Sequence, residues 1–252
     1  MANNYISLQG EFYLAPIVNG VPGALRHIGN VPEFELELTA EILEHKESMT
    51  GQRATDFTLV QTTGVAFTGQ LEQVSPENLE YILSGKNHAI VGATVVDQSL
   101  GTVVANQLVS LDAYNLSAVT IKDSTPTTPI TLDPSKYELD AAFGTVKVTD
   151  ITGLVMPLKI SYTSGAVTNT TIASDFETEY MLYFKGINTI NQDKVVVKLW
   201  RTKKSPETTF GLIHEELGQY QISGQALADV TKQSDAALGL YGHMVSIPAV
   251  AP

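Results

Sequence analysis

The chain contains no cysteine. No disulfide framework, thiolate zinc site or cysteine nucleophile is open to it. Charge is scarce: 17% of the 252 residues are Asp, Glu, Lys or Arg, and acids outnumber bases to give a net charge of −12. Affinity for nucleic acid comes largely from Lys and Arg displacing counterions. Tight, charge-driven binding to a phosphate backbone is therefore not expected, although an acidic wall can face DNA without gripping it. Long apolar runs are missing too. The longest, around Ala89–Val96, is broken by Gly92 and Thr94 and is too short to span a bilayer. Residues 1–30 lack the basic start and continuous apolar core of a signal peptide. The expectation is an assembly formed in the cytoplasm, with no membrane partner.

Catalytic signatures are equally sparse. The histidines are His27, His45, His88, His214 and His243, and no pair has metal-ligand spacing. His214-Glu215 begins like a zincin motif, but no second histidine follows at the required place. Ser84-Gly85-Lys86 lacks the rest of a phosphate-binding loop, and it ends an expected helix where such a loop would start one. Acid pairs such as Glu215-Glu216 occur, but glycosidase chemistry depends on a separation in space that spacing along the chain does not set. No enzyme, metal or cofactor is expected.

What is present favours strands. Val, Thr, Ile and Gly are plentiful. The most informative stretch is Val31–Arg53. Phe34, Leu36 and Leu38 alternate strictly with Glu33, Glu35 and Glu37, which predicts a strand with one apolar and one acidic face. Two readings of the acidic face stay open: a solvated face paired with Lys or Arg from a neighbouring strand, or an acidic surface with a function. A charged segment follows from Glu41 to Arg53, carrying Glu44, His45, Lys46, Glu47, Met49 and Arg53. It reads as a long loop joining two strands, and loops of this length are commonly functional or disordered. Strands resume at Asp56–Gln61 and Val65–Gln70, with a turn or bulge at Thr62-Thr63-Gly64.

Upstream, Tyr5–Val18 reads as a strand with a bulge at Gly10, and Asn19-Gly20 as a tight turn. Leu25–Ile28 is a brief extended piece. Ser75-Pro76-Glu77 opens the clearest helix: a hydroxyl N-cap, proline in the first turn and an acid complementing the dipole. Gly85 is its expected end. From residue 89 to 169 the texture changes to short strands with turns between them, at Ala89–Val96, Val103–Leu111, Ala118–Lys122, Tyr137–Asp140, Thr145–Thr149 and Leu158–Thr163. Strands are expected again at Glu179–Gly186 and Lys194–Lys203. Extended pieces follow at Phe210–Leu217 and Gln219–Asp229, with a last strand at Tyr241–Ile247. Alternation places Lys194, Lys198 and Lys204 on one face of their strand with Val196 and Trp200. This basic run, with Arg201 and Lys203, reads as a face that pairs with acidic neighbours. The domain expectation is a core from 1–88 and 170–252, with 89–169 as an inserted or elaborating β-module.

These residues carry a resemblance. The FELEL strand with its EHKESMTGQR segment, the Ser75-Pro76-Glu77-Asn78-Leu79 helix start, and Val195–Pro206 resemble the major tail proteins of long-tailed bacteriophages. So do Leu212–Gly218 and Ile222–Asp229. The likeness covers roughly residues 5–95 and 170–247. It implies an all-β, antiparallel sandwich or barrel that forms rings, six-fold in the family, stacked into a hollow tail tube that delivers the genome. It further implies that the charged loop contacts neighbouring subunits and orders on assembly, and it makes Glu33, Glu35 and Glu37 candidates for an acidic lumen. The implied partners are copies of the chain itself, a tape measure protein, a tail terminator and distal tail or baseplate proteins, with DNA passing through unread. The implied location is the virion tail. The rivals are a β-sandwich binding module of fimbrial or adhesin type, expected with a secretion signal or donor strand, and a β-rich enzyme such as a glycosidase, expected with clustered acids.

Overall fold

A computed structural model describes residues 5–249. In chain order the strands are β1 (Leu8–Val18), β2 (Val21–Pro22), β3 (Arg26–His27), β4 (Glu33–Lys46) and β5 (Thr55–Leu71). The helix α1 (Pro76–Ile82) follows. Next come β6 (Asn87–Ile90), β7 (Thr94–Gly101), β8 (Leu108–Ser110), β9 (Ser117–Lys122), β10 (Tyr137–Asp140), β11 (Thr145–Val148), β12 (Leu158–Thr163) and β13 (Val167–Thr170). The series ends with β14 (Glu179–Asn188), β15 (Lys194–Lys204), β16 (Tyr220–Leu227) and β17 (Gly242–Ile247). The fold is all-β with antiparallel sheets and one short α-helix, and the barrel is not closed. The chain divides into two compact units: 5–86 with 170–249, and Asn87–Asn169.

The first unit is one nine-stranded sheet in the order β2-β1-β14-β15-β16-β5-β4, with β3 on β1 and β17 on β15. Asn19 and Gly20 both take positive φ, +52° and +77°, as a two-residue hairpin between Val18 and Val21 requires. Its core gathers Phe12, Leu14, Phe67, Leu182, Phe184, Leu199 and Ile222 from the sheet, with Tyr81 and Ile82 from α1. Tyr180, Leu182 and Phe184, alternate residues of the expected strand Glu179–Gly186, share its inward face. The sheet rolls until its two ends approach: the rings of Phe12 on β1 and Phe34 on β4 lie 4.5 Å apart, yet the two strands share no ladder.

Gly10 is not a bulge. It stands in register opposite Gly186, and a Cβ on it would sit 2.3 Å from the Lys185 carbonyl oxygen and 2.8 Å from the Phe184 ring. Close approach, not turning, requires glycine there. At α1 the Ser75 hydroxyl caps the Asn78 N–H at 3.2 Å. The left-handed residue after the helix is Ser84, with φ +48°. Gly85 follows it, where a Cβ would meet the Thr171 carbonyl at 1.7 Å. Residues 210–217 form no strand, and 62–64 make no break, because β5 runs through them.

The second unit has two three-stranded sheets, β10-β11-β8 and β7-β12-β9, and a β6-β13 pair. Ile121, Val146, Val148, Leu158 and Ile160 fill its core. Val103–Leu111 is mostly loop, with only Leu108–Ser110 in a ladder. Asp123 is fully buried. Its carboxylate accepts from the N–H groups of Thr125 (3.2 Å), Ile130 (2.5 Å) and Val155 (3.2 Å), and from the Thr125 hydroxyl. Burial alone would raise its pKa, but these donors hold it at about 2.

Candidate functional site: the β4–β5 ribbon and the open edge of the sheet

Strands β4 and β5 pair from Glu33↔Gln70 to Lys46↔Thr55. Only the base of this ribbon joins the rest of the sheet, since β16 covers β5 from Leu71 to Val65 and no further. At ~3.3 Å per residue the stretch from Leu36 to Lys46 spans about 33 Å. The first part of the expected loop, Glu41–Lys46, is therefore strand. Glu44, His45 and Lys46 lie in the ladder, and the turn is confined to 47–54. The alternation starting at Phe34 simply continues through Ile42, and counting it past the polar Thr39 would have extended the strand.

Residues directly opposite share a face. Leu36/Phe67, Leu38/Val65 and Ile42/Val60 form an apolar stripe continuing outward from the core. Phe67 is buried, but Leu36, Ile42 and Val60 are exposed and Leu38 is 80% exposed. The other face pairs Glu33/Gln70, Glu35/Thr68, Glu37/Ala66 and Glu41/Thr62. The neighbouring strand β5 contains no Lys or Arg, which overturns the reading that a neighbouring strand neutralises this face. Glu33 accepts from the Gln70 amide at 2.9 Å and Glu41 from the Thr62 hydroxyl at 3.2 Å. Ladder shifts between Glu41 and Ile42 and between His45 and Lys46 mark bulges in the ribbon. Past the first of these, Leu43/Leu59 and His45/Phe57 occupy the formerly acidic side. Sequence reasoning missed this apolar end.

The tip is already built within one chain. The Glu47 N–H donates to the Ala54 carbonyl at 2.9 Å. The Glu47 carboxylate accepts from the N–H groups of Met49 (2.7 Å) and Thr50 (2.9 Å) and from the Thr50 hydroxyl. These bonds, the Thr50 hydroxyl first, lower its pKa. Gly51 and Arg53 turn the chain at φ +79° and +51°. Met49 stands at the tip, 90% exposed. His45 Nδ1 lies 2.6 Å from Asp56 Oδ1.

The basic run of β15 divides in two. Leu182 faces Leu199 but Tyr180 faces Thr202, so β15 carries one extra residue there. That bulge reverses the side-chain parity. Lys204 points to the core side, away from the face expected for it, and donates to the Tyr81 and Ile82 carbonyls and the Ser84 hydroxyl at the end of α1. Arg201 makes a bidentate pair with Glu179 at 2.7 and 2.8 Å, and Lys203 meets Glu177 at 2.7 Å. Lys198 lies over the Tyr183 ring. The adjacent depression of about 650 Å³ is lined by the paired Glu179 and Arg201, by Asp229 and by Lys232, which lies over the Trp200 ring.

Between the two ends of the rolled sheet runs a groove of about 610 Å³, lined by Leu8, Phe12, Phe34, Leu36, Phe184 and Met244 and also by Gln9 and Asn30. Among the described residues β4 has no ladder partner besides β5, and Leu8–Glu11 none besides β14. The groove is therefore flanked by two free strand edges. The described residues contain no group of His, Asp or Glu placed to hold a metal ion, and none of their helices is long and apolar enough to cross a membrane. The chain matches over residues 5–245 the family described as Protein of unknown function UCP028589, and it belongs to that family. No curated protein matches it.

Proposed function

We propose that this chain is a structural subunit that assembles with its own copies into stacked rings, forming the hollow tail tube of a bacteriophage virion. The observation that carries this reading is the ribbon. Leu38, Ile42 and Val60 stand largely in solvent on a two-stranded arm, with Leu36 half-exposed at its base. An exposed apolar stripe beside a free strand edge is an aggregation hazard unless an interface covers it. Each such side chain contributes about 1.5–3 kcal/mol when fully buried, and no interior of this chain receives them. Head-to-tail contact between identical copies closes into rings or propagates as a filament.

The opposite face supports a conduit. Glu33, Glu35, Glu37 and Glu41, interleaved with Thr and Gln and free of cations, would line the bore and repel a phosphate backbone, so DNA slides without sticking. The ribbon tip, with Glu44, His45, Lys46, Glu47, Met49 and Arg53, contacts an adjacent copy. The tape measure, terminator and distal tail partners follow from the family resemblance. No catalysis is involved. Negative-stain electron microscopy over a concentration series tests the reading. Hollow tubes or rings of uniform diameter are the expected result. A monodisperse monomer at every concentration, with the apolar stripe equally open to a hydrophobic dye throughout, would overturn it in favour of a β-sandwich binding module.

A further inference from the structure

The chain carries a net charge of −12, yet one face of its first unit is basic. Val195, Val197 and Leu199 of β15 point toward the core, so alternation sends Lys194, Val196 and Lys198 outward. Pairing with β17 sets Ile247, Val245 and His243 opposite these three, and pairing with β14 sets Lys185 opposite Val196. Lys185 is held by Glu11 at 2.9 Å. Lys194 and Lys198 have no carboxylate partner among the described residues. Asp193 lies on the other side of the strand, in a depression shared with Val195 and Ser246. Val245 and Ile247 are exposed beside the lysines.

The opposite end of β15 leads into the reverse chemistry. Residues 205–219 contain Glu207, Glu215 and Glu216 and no Lys or Arg. None of the three glutamates is in an ion pair among the described residues. Leu212, Ile213 and Leu217 stand bare among them, Ile213 at 93% exposed. Phe210 stacks on Tyr220 at the start of β16, which holds the segment at the Lys204 end of the sheet.

We infer that the 207–217 segment of one copy docks on the outer face of β15 and β17 in the next. The inference rests on the tube reading and names a head-to-tail contact that stacks the copies. Charge selects the occupant: a cation-free acidic segment meets the lysines left without a carboxylate. Apolar surface selects it further, because Leu212, Ile213 and Leu217 can cover Val245 and Ile247. The acidic row of β4 lacks that second match. Glu33, Glu35 and Glu37 stand opposite Gln70, Thr68 and Ala66, with no large apolar side chain to set against β17. The two patches do not meet within one chain. Lys194 and Lys204 are the ends of β15, and at ~3.3 Å per residue they lie about 33 Å apart. Unlike patches at opposite ends of one subunit make a heterologous contact, which repeats as a stack.

Exchange of charge between copies tests the contact. A segment-reversed protein (Glu215→Lys, Glu216→Lys) and a face-reversed protein (Lys194→Glu, Lys198→Glu) are compared with the parent by thermal melting, sedimentation and electron microscopy. Each should melt like the parent yet need at least about tenfold more protein to form tubes, because like charges then meet. Lys194→Glu alone repeats the second arm without touching the half-buried Lys198. An equal mixture of the two reversed proteins should assemble at the parent's concentration, since each segment then finds a face of opposite sign on the other protein. Tubes from either reversed protein alone at the parent's concentration, or a mixture no better than its components, would overturn this contact and leave the tube reading standing. Rescue of the face-reversed protein by Glu35→Lys with Glu37→Lys, and not by the segment-reversed protein, would give the contact to β4 and overturn it as well. A parent that forms neither rings nor tubes would overturn both readings.

Discussion

Lys204 donates its ammonium to the Tyr81 carbonyl oxygen at 2.8 Å, so the last residue of β15 closes the C-terminus of α1. Carbonyls at a helix end lack intrahelical partners, and a cation there also suits the helix dipole. The bulge in β15 makes this possible, by turning Lys204 to the core side.

Lys204→Met should cost about 1–3 kcal/mol of stability, because the carbonyls it serves lose their donor. Burial holds the Lys204 pKa down at about 8, whereas an unfolded lysine keeps its proton to about 10.4. Between these values the unfolded chain binds more protons than the folded one, so stability rises with pH across about 8–10. Below about 8 both states hold the proton and the desolvation cost is present in full. Urea melts at pH 7, 8, 9 and 10 should show the deficit of the variant widening over that window.

Asp123→Ala should unfold the second unit selectively. It strips the Thr125, Ile130 and Val155 N–H groups of their shared acceptor and leaves a void where the buried carboxylate sat. Hydrogen exchange should lose protection across β9 and β12 while β1 and β14 keep theirs. The native carboxyl sits at about 2, below its unfolded value of about 3.9. Its contribution is complete above about pH 4 and is lost as pH falls through about 2.

Leu38→Glu should leave the monomer intact, within about 0.5 kcal/mol of the parent, since the side chain is already in water. Assembly should suffer instead. Losing about 1.5–3 kcal/mol of burial at an interface raises the concentration needed for assembly by about tenfold or more. Light scattering beside a denaturation curve separates the two effects.

Glu47→Ala should free the ribbon tip. Met49 and Thr50 lose their N–H acceptor, and their amides should exchange faster while β14 and β15 are unchanged. Global stability should be nearly unchanged, because the bonds lost are confined to the tip of the ribbon.

Gly10→Ala should destabilise the first unit by about 1–3 kcal/mol, the usual cost of overpacking. Its Cβ meets the Lys185 carbonyl and the Gly186 Cα at 2.3 and 2.5 Å, and neither backbone can move without parting β1 from β14. Thermal melts of the variant and the parent provide the comparison.

The sequence alone determined whatever depends on neighbours along the chain. Period-two alternation put Phe34, Leu36 and Leu38 on one face of β4, Asn19-Gly20 set the hairpin, and Ser75-Pro76 opened α1, because strand faces, turn dihedrals and caps are local physics. The change of texture at residue 89 lies two residues from the start of the second unit at Asn87. Tertiary structure decided what depends on distant partners. A single extra residue in β15 reversed the side of Lys204. The ladder to β5 carried β4 as far as Lys46, into the first part of the expected loop, since cross-strand bonds outweigh a polar stretch. Gly10 was fixed by Gly186, far away in sequence and adjacent in space. The groove exists only because a rolled sheet brings Phe12 and Phe34 together without joining their strands, and no local pattern records where a sheet stops short of closing.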